Sequence, residues 1–511
     1  MLTSGIGPET SALPMRCATY CATSAKPKAI LSQRGLVVKW KENDHTSFDL
    51  IDIMKRFIGT KEFYKSVFAV ALPIMLQNGI SNFVGLLDNL MVGRLGTEQM
   101  AGVSIANNLM LVYQLCIFGA VSGAGIFTAQ FFGQKNKNGI QQTFRIKLIL
   151  SLVLTLAGIV VFMLWDKPLV SLYLHEGSDA GDLSLTLSCG HMYILTMLFG
   201  LIPQGIEMSY SSTLRETGET VVPMRASLVA VAVNLVLNYV LIYGKLGIPA
   251  LGVVGAAIAT VVARFVQAAI VVVWLHKNTE KMPYADKLFA TLAVPRDLLS
   301  KVLVMGAPLI LNEGLWALGV VLQSQSYSTR GLAVVAATNI NSTIYNVFNI
   351  AFVAFGDATA ILVGQHLGAG RMKEAKDTSS KIIAFTVCVC IFVGAVIFLT
   401  AGLYPMLYNT TDEVKSLAES FIRVTGIMLP LQGACHCLYF TIRAGGKTFI
   451  TFLFDSAFSM AIVVPLAYVL TRLTGLDIVL IFALVELTSA LKVAIGLGLL
   501  KSGVWMQNIV G

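Results

Sequence analysis

From residue 66 to residue 500 the chain is a succession of apolar stretches separated by short polar ones. We read twelve, at 66–93, 99–127, 146–165, 188–213, 221–243, 252–275, 302–327, 333–364, 381–404, 416–440, 449–470 and 477–500. As helices, stretches of this length rise by about 1.5 Å per residue and cross about 30 Å of hydrocarbon. Apolar residues make up 56% of the chain and charged residues 13%, against about a quarter charged in a soluble globular protein. An all-α polytopic membrane protein embedded in the lipid bilayer is therefore expected.

The net charge of +9 does not point to nucleic acid, because the charges fall between the apolar stretches on alternating sides. One set of loops and flanks holds 22 Lys and Arg, including Arg145, Lys147, Arg215, Arg443 and the stretch Lys277–Lys301; the other holds 7. That excess predicts both termini in the cytoplasm, in a plasma (inner) membrane. The opposite loops are partly acidic, with Glu176, Asp179 and Asp182, then Asp412 and Glu413.

Residues 1–53 lack a basic start followed by an apolar core, so they are not read as a secretory signal. They also lack a helical period and are expected to form a disordered cytoplasmic tail, or an extension ahead of a start at Met54. No GxxxxGK[ST] loop and no HExxH occurs, so neither ATP-driven transport nor zinc hydrolysis is encoded by these motifs. No enzyme is expected. Cys435-His436-Cys437 looks metal-like on paper, yet consecutive helical positions diverge by about 100° and favour small interior residues over a site.

The chain is doubled. Shifting the first half by 235 residues lays Pro73 on Pro308, Gly96 on Gly331, Gln130 on Gln365 and Gly133 on Gly368. At a shift of 228, Gly205, Thr213, Arg215 and Gly218 fall on Gly433, Thr441, Arg443 and Gly446. Each repeat has an even number of spans, so both enter the bilayer in the same direction, related by a pseudo-two-fold along the membrane normal. The expected domains are six-helix bundles at 54–276 and 302–511, facing each other across a cleft, with a cytoplasmic connector at 277–301.

Several polar residues sit at lipid depth. Asp88 follows a chargeless run from Ser66 to Leu87 and is a functional candidate by default, with an interfacial acid near Arg94 as the alternative. Asn234 and Asn238 are four apart and share a helix face. Glu207 has Arg264 as its expected counter-ion, either as a structural pair or a proton relay. Glu313 and Trp316 share a face one turn apart, offering an organic cation a carboxylate and an indole. Asp357 follows Gly356, where the eighth span is expected to break. Tyr345, Phe348, Phe352 and Phe355 form a stripe read as core. Glu486 and Lys492 do not share a face and are left unassigned.

The motifs TAQFFGQKN (128–136) and LVGQHLGAGRMKEA (362–375), TLRETGETVVP (213–223) and TIRAGGKT (441–448), and LLDNLMVGRLG (86–96) resemble the multidrug and toxic compound extrusion family over residues 60–500. The resemblance implies a secondary antiporter that exports organic, commonly cationic, small molecules against inflow of Na⁺ or H⁺, with no other cofactor. A monomer is expected. It further implies coupling through Asp88, Asn234, Asn238 and Thr260, a set of oxygens suited to Na⁺ or, through Asp88 alone, to a proton. Glu313, Trp316, Asp357 and Glu207 are the substrate-binding candidates. The seventh-span Glu stands five residues after Pro308 rather than about eight as in many members, and a tenth-span Asp of some members is replaced near Gln432. The competing function is a flippase of lipid-linked sugars, which would want a strongly basic cleft.

Overall fold

The computed structural model describes residues 57–174 and 182–511, together with 28–32 and 35–39. Those last two form an antiparallel ladder, β1 (Lys28–Ser32) and β2 (Gly35–Lys39), inside the stretch expected to be irregular. The rest of that stretch lies outside the described residues, as do Glu176 and Asp179. Residues 1–56 and 57–511 are separate units.

Among its described residues the larger unit holds twelve helices long and apolar enough to cross a membrane. They are α1 (Lys61–Gly93), α2 (Thr97–Gly133), α3 (Lys137–Ser171), α4 (Leu183–Glu216), α5 (Val221–Tyr243) and α6 (Gly252–Lys277), then α7 (Arg296–Ser328), α8 (Leu332–Gly368), α9 (Met372–Thr400), α10 (Asp412–Ala444), α11 (Thr448–Leu473) and α12 (Ile478–Ser502). Local chemistry marks their starts: the side chains of Thr60, Asn136, Asp182, Thr411 and Asp477 accept from free backbone N–H groups at the beginnings of α1, α3, α4, α10 and α12. Two of the three-residue links, before α2 and α8, turn at Gly96 (φ 147°) and Gly331 (φ 117°), a conformation closed to residues with a Cβ. These glycines are repeat equivalents.

The packing is doubled as well. In the first lobe α2 packs on α3 and α4, and α4 on α6; in the second α8 packs on α9 and α10, and α10 on α12. Helix α8 is continuous through Gly356, contrary to the expected break. A Cβ on Gly356 would lie 2.4 Å from the His436 ring, so this glycine makes room for a neighbour rather than interrupting the helix.

The two ends of the bundle differ. At the end carrying Arg94 and Arg330, each lobe has its own core: Val92, Tyr113, Met197 and Ala257 in the first, Tyr327, Phe352, Phe421 and Val485 in the second. At the end with the basic loops the cores are exchanged. Val67, Val70, Ala71 and Ile74 of α1 pack into the second lobe against Phe355, Ala358 and Leu438. Reciprocally, Val302 of α7 packs into the first lobe with Phe127, Phe144 and Leu214. The first helix of each repeat thus crosses to the other lobe.

Paired contacts seal this basic end. Gln130 Nε2 donates to Ala444 O (3.0 Å) and Gln365 Nε2 to Glu216 O (2.8 Å), two bonds related by the repeat. A Cβ on Gly133 would sit 2.0 Å from Gln365 O, and one on Gly368 1.9 Å from Gln130 O. Only glycine lets the lobes come this close. Residues 503–511 then cross the seam: Trp505 is buried in the second lobe, while Ile509 N donates to Gln130 Oε1 (2.9 Å) and Ile509 packs on the first-lobe core.

Several residues assigned to basic loops lie inside the protein. Lys147 is fully buried in α3 and pairs with Glu216, donating also to Ser212 Oγ (3.1 Å) and Thr213 Oγ1 (3.2 Å). Arg145 Nε donates to Leu288 O (2.9 Å), and Gln141 Nε2 to Tyr284 O and Asp286 O (both 2.9 Å). The connector between α6 and α7 is therefore held on the first lobe by α3. Arg145 and Lys147, more than two turns into α3, satisfy a connector carbonyl and side chains of α4 respectively, roles the count of loop charges does not separate from solvent exposure.

Candidate functional site

Two polar regions stand out in the first lobe and between the lobes. The first is built where α1, α5 and α6 meet. Asn234 and Asn238 are both buried on one face of α5. Asn238 Nδ2 donates to Asp88 Oδ1 (2.6 Å) and to Asn234 Oδ1 (3.1 Å). Asn234 reaches the hydroxyl of Thr260 at 3.2 Å, and Thr260 in turn donates to Ala256 O (3.1 Å). Turned about its amide, Asn234 would place nitrogen 2.9 Å from Asp88 Oδ1 and keep its oxygen on Thr260. All four residues expected to act together are thus brought together, and Asp88 faces the interior rather than the interface.

This cluster is short of positive charge. Asp88 forms no salt bridge among the described residues; its recorded side-chain donor is a neutral amide. Asn238 Oδ1 is buried with no hydrogen-bond partner among the described residues. An unpaired buried carbonyl oxygen beside an unpaired carboxylate is a donor set lacking an acceptor of its electrons, which a hard cation or a proton would supply.

The second region is a cavity of about 290 Å³ between the lobes. Glu207, Gln204 and Arg215 of α4 line it from one side, Asp357 of α8 and Arg443 of α10 from the other, with Phe118 and Phe440 among its apolar walls. Glu207 and Asp357 therefore share one chamber. Glu207 is not paired with Arg264. Its Oε1 accepts from Ser211 Oγ (2.6 Å) and Gln267 Nε2 (3.0 Å), so an amide one turn along α6 takes the position expected of the guanidinium. Arg264 Nη1 is left unpartnered.

Glu313 and Trp316 do not line this cavity. Trp316 is half-exposed, and Glu313 lies next to a separate polar group in the second lobe. There Asp455 accepts from Lys492 Nζ (2.7 Å) and from Asn312 Nδ2 (3.2 Å). Asn312 Nδ2 also reaches the Tyr439 hydroxyl (3.3 Å). Asp455 sits where α11 widens into π-helical turns at Leu453–Ala457 and Ser459–Val463, a local underwinding often found at functional positions. Nearby, Gln432 Nε2 donates to Glu486 Oε2 (2.9 Å) and Ser489 Oγ (3.1 Å). The Tyr345–Phe355 stripe is core, with Phe352 and Phe355 buried and Phe352 edge-on to His436 at 5.5 Å.

Sequence reasoning missed Asp455, although a lone acid within the apolar stretch 449–470 is a signal of the same kind as Asp88. It also left Lys492 unassigned, because its partner lies on another helix.

The MatE family profile matches residues 73–240 and 312–469, one block in each lobe and together more than half of the chain. The chain belongs to the MatE family. It is similar to a probable multidrug resistance protein NorM of Oceanobacillus iheyensis, 28% identical over 387 residues, covering 73% of this chain and 83% of that protein. A probable multidrug resistance protein NorM of Thermotoga maritima is 24% identical over 415 residues, covering 80% and 86%. Among solved structures, one described as the outward-facing conformation of a multidrug resistance MATE family transporter of the MOP superfamily superposes with a TM-score of 0.77 at 20% identity, covering 88% of this chain and 98% of that one. A MOP superfamily transporter from Pyrococcus furiosus, described as having a binding pocket of reverse polarity, gives 0.78 at 19% identity, covering 88% and 98%. These likenesses establish the twelve-helix, two-lobe fold.

Proposed function

We propose that this protein is a secondary antiporter in the plasma membrane, exporting organic small molecules, cations among them, in exchange for inflowing Na⁺ or H⁺. The observation that carries this reading is the cluster Asp88–Asn234–Asn238–Thr260, in which a half-buried carboxylate has neutral partners and a neighbouring buried oxygen has none among the described residues. Such a group is stable when a cation or proton occupies it and strained when empty, which ties ion occupancy to the packing of α1, α5 and α6.

The cavity supplies the substrate chamber. It is bounded by both lobes, sealed at the basic end by the Gln130 and Gln365 bonds, and lies between lobes whose cores are separate at the other end. With the basic loops and both termini in the cytoplasm, this is a state closed to the cytoplasm. Ion binding biases the exchange between this state and its inward-open counterpart. The names of the NorM relatives support drug-like substrates. The flippase reading is weaker, because the cavity lining sets Glu207 and Asp357 against Arg215 and Arg443 instead of presenting a strongly basic wall.

The test is export of a fluorescent organic cation from proteoliposomes under a Na⁺ gradient and a pH gradient imposed separately. Export driven by one gradient and collapsed by its dissipation is the expected result. Indifference to both gradients overturns antiport.

A further inference from the structure

The charged residues of the cavity are arranged in a way that a simple cation chamber does not require. Arg215 and Arg443 are equivalent positions of the two repeats, in the last turns of α4 and α10, and both line the cavity. Burying a guanidinium is expensive unless it is paired. Yet among the described residues neither forms a salt bridge, and Arg215 Nε and Arg443 Nη1 are buried without any hydrogen-bond partner. Arg443 is only 5% exposed. Its guanidinium lies over the rings of Phe440 (5.2 Å), Phe118 (5.6 Å) and Tyr439 (5.9 Å), which hold its plane without using its N–H groups. Arg215 is steadied by one bond, from Nη2 to Gln77 Oε1 (3.1 Å).

The acids of the same chamber are accounted for separately. Glu216 is taken up by Lys147. Glu207 is held by Ser211 and Gln267, Asp357 forms no salt bridge among the described residues, and Gln204 Oε1 is a buried acceptor with no partner. Glu313 lies beside the second lobe's polar group and outside the chamber. The cavity therefore carries two guanidiniums and two carboxylates, none neutralising another by direct contact. That is a complement to a ligand bearing both charges.

We propose that Arg215 and Arg443 form an anion subsite that takes the carboxylate of a zwitterionic organic substrate, whose cationic end faces Glu207, Asp357 and the Gln204 carbonyl. This deepens the transport reading, on which it rests, by naming the charge pattern the chamber selects. Planar guanidiniums match a carboxylate by paired N–H donation, and placing one from each lobe makes the bound anion a bridge across the pseudo-two-fold.

The probes are rhodamine 110, a xanthylium carboxylate, and its methyl ester rhodamine 123, which keeps the cation and lacks the carboxylate. Equilibrium binding to purified protein in lipid nanodiscs is measured for wild type, Arg443→Gln, Arg215→Gln and Arg443→Lys, with thermal unfolding of each. Both Gln variants should weaken rhodamine 110 by about tenfold or more, the loss expected for a charge-assisted bond, and leave rhodamine 123 within about twofold. Arg443→Lys should recover part of the rhodamine 110 affinity. Equal losses for the two dyes, or no loss for either, overturn the proposal. If Arg443→Gln does not fold, Arg215→Gln alone decides by the same differential. Dye binding with the expected differential but without gradient-driven export would overturn antiport and leave the anion subsite standing. Export of rhodamine 123 at wild-type rate by a protein with no dye differential would do the reverse.

Discussion

Each lobe carries a half-buried aspartate within its membrane-spanning helices, Asp88 and Asp455, and the two are treated in opposite ways. Asp88 in the first lobe is met by the neutral amide of Asn238. Asp455 in the second is met by the ammonium of Lys492 at 2.7 Å. An ion pair removed from water is tolerated because each charge answers the other, whereas a carboxylate among amides keeps much of its desolvation penalty. The second lobe thus has a cation built into its own chain beside Asp455, and the first lobe, among the described residues, places only neutral partners beside Asp88, the place our proposal gives to the coupling ion. Doubling supplied the scaffold, and the two lobes depart from two-fold symmetry in the partners they give these acids.

The strongest way to break this comparison is Asp88→Asn. The substitution keeps shape and hydrogen bonding, so insertion and folding should survive. It removes the only charge in the cluster, and gradient-driven export should fall to the background of empty liposomes. Purified Asp88→Asn that still exports at wild-type rate under either gradient would remove Asp88 from the coupling mechanism.

Lys492→Met should act on stability instead. Removing one partner of a buried pair leaves the other uncompensated, a loss of about 3–5 kcal/mol, read as a lower midpoint of thermal unfolding in detergent. The double variant Asp455→Asn/Lys492→Met should return to within about 1 kcal/mol of wild type, since replacing both charges removes the mismatch. If the double variant instead loses its ion dependence, the second lobe is a coupling site and the contrast between the lobes fails.

The seal at the basic end offers a finer comparison. Gln130 takes part in three bonds, to Ala444 O, Gln507 O and Ile509 N, while its equivalent Gln365 donates one, to Glu216 O. At about 0.6 kcal/mol per interhelical bond, Gln130→Ala should shift the balance away from the sealed state by about 20-fold and Gln365→Ala by about threefold. Double electron–electron resonance between spin labels on the loops after α2 and α8 would read this. Equal shifts would mean that residues 503–511 contribute nothing to the closure.

How much of this was legible in the chain follows from where the physics is local. Helix existence and the placement of Asn234 and Asn238 on one face depend on short-range periodicity, and the doubling on landmarks kept in register 235 and 228 residues apart; all are readable. The four-residue cluster was anticipated through family resemblance, since nothing in the spacing of Asp88 and Thr260 says that α1 and α6 meet. What could not be read was partner choice across helices. Arg264 was matched to Glu207 by charge, yet Gln267, on the same helix, is the residue that reaches it. Lys492 is left unassigned because Glu486, the acid on its own helix, does not share its face, while its actual partner Asp455 lies on α11. Arg215 and Arg443 counted as loop charges because the motif places them near helix ends, and only the meeting of the lobes turns them into cavity walls.

Graded effects, smaller than the loss expected of Asp88→Asn, should come from the two amides of the first lobe, and they sharpen the contrast most directly. Asn238 both bonds Asp88 and carries the unpartnered Oδ1, whereas Asn234 reaches Thr260. If Na⁺ is the coupling ion, loss of one neutral oxygen ligand should raise the half-maximal Na⁺ concentration for export by about tenfold, equivalent to about 1.4 kcal/mol. Asn238→Ala should exceed Asn234→Ala, because it strips the cluster of the oxygen that no protein group already uses. If H⁺ is the ion, the two variants should move the pH midpoint and leave Na⁺ dependence absent. The Asp455→Asn/Lys492→Met protein is the control: its ion dependence should overlay that of wild type, because the charges it removes balance each other. A shift in that control as large as in Asn238→Ala would show that both lobes sense the ion, and would make the built-in ammonium of Lys492 part of the coupling and not a substitute for it.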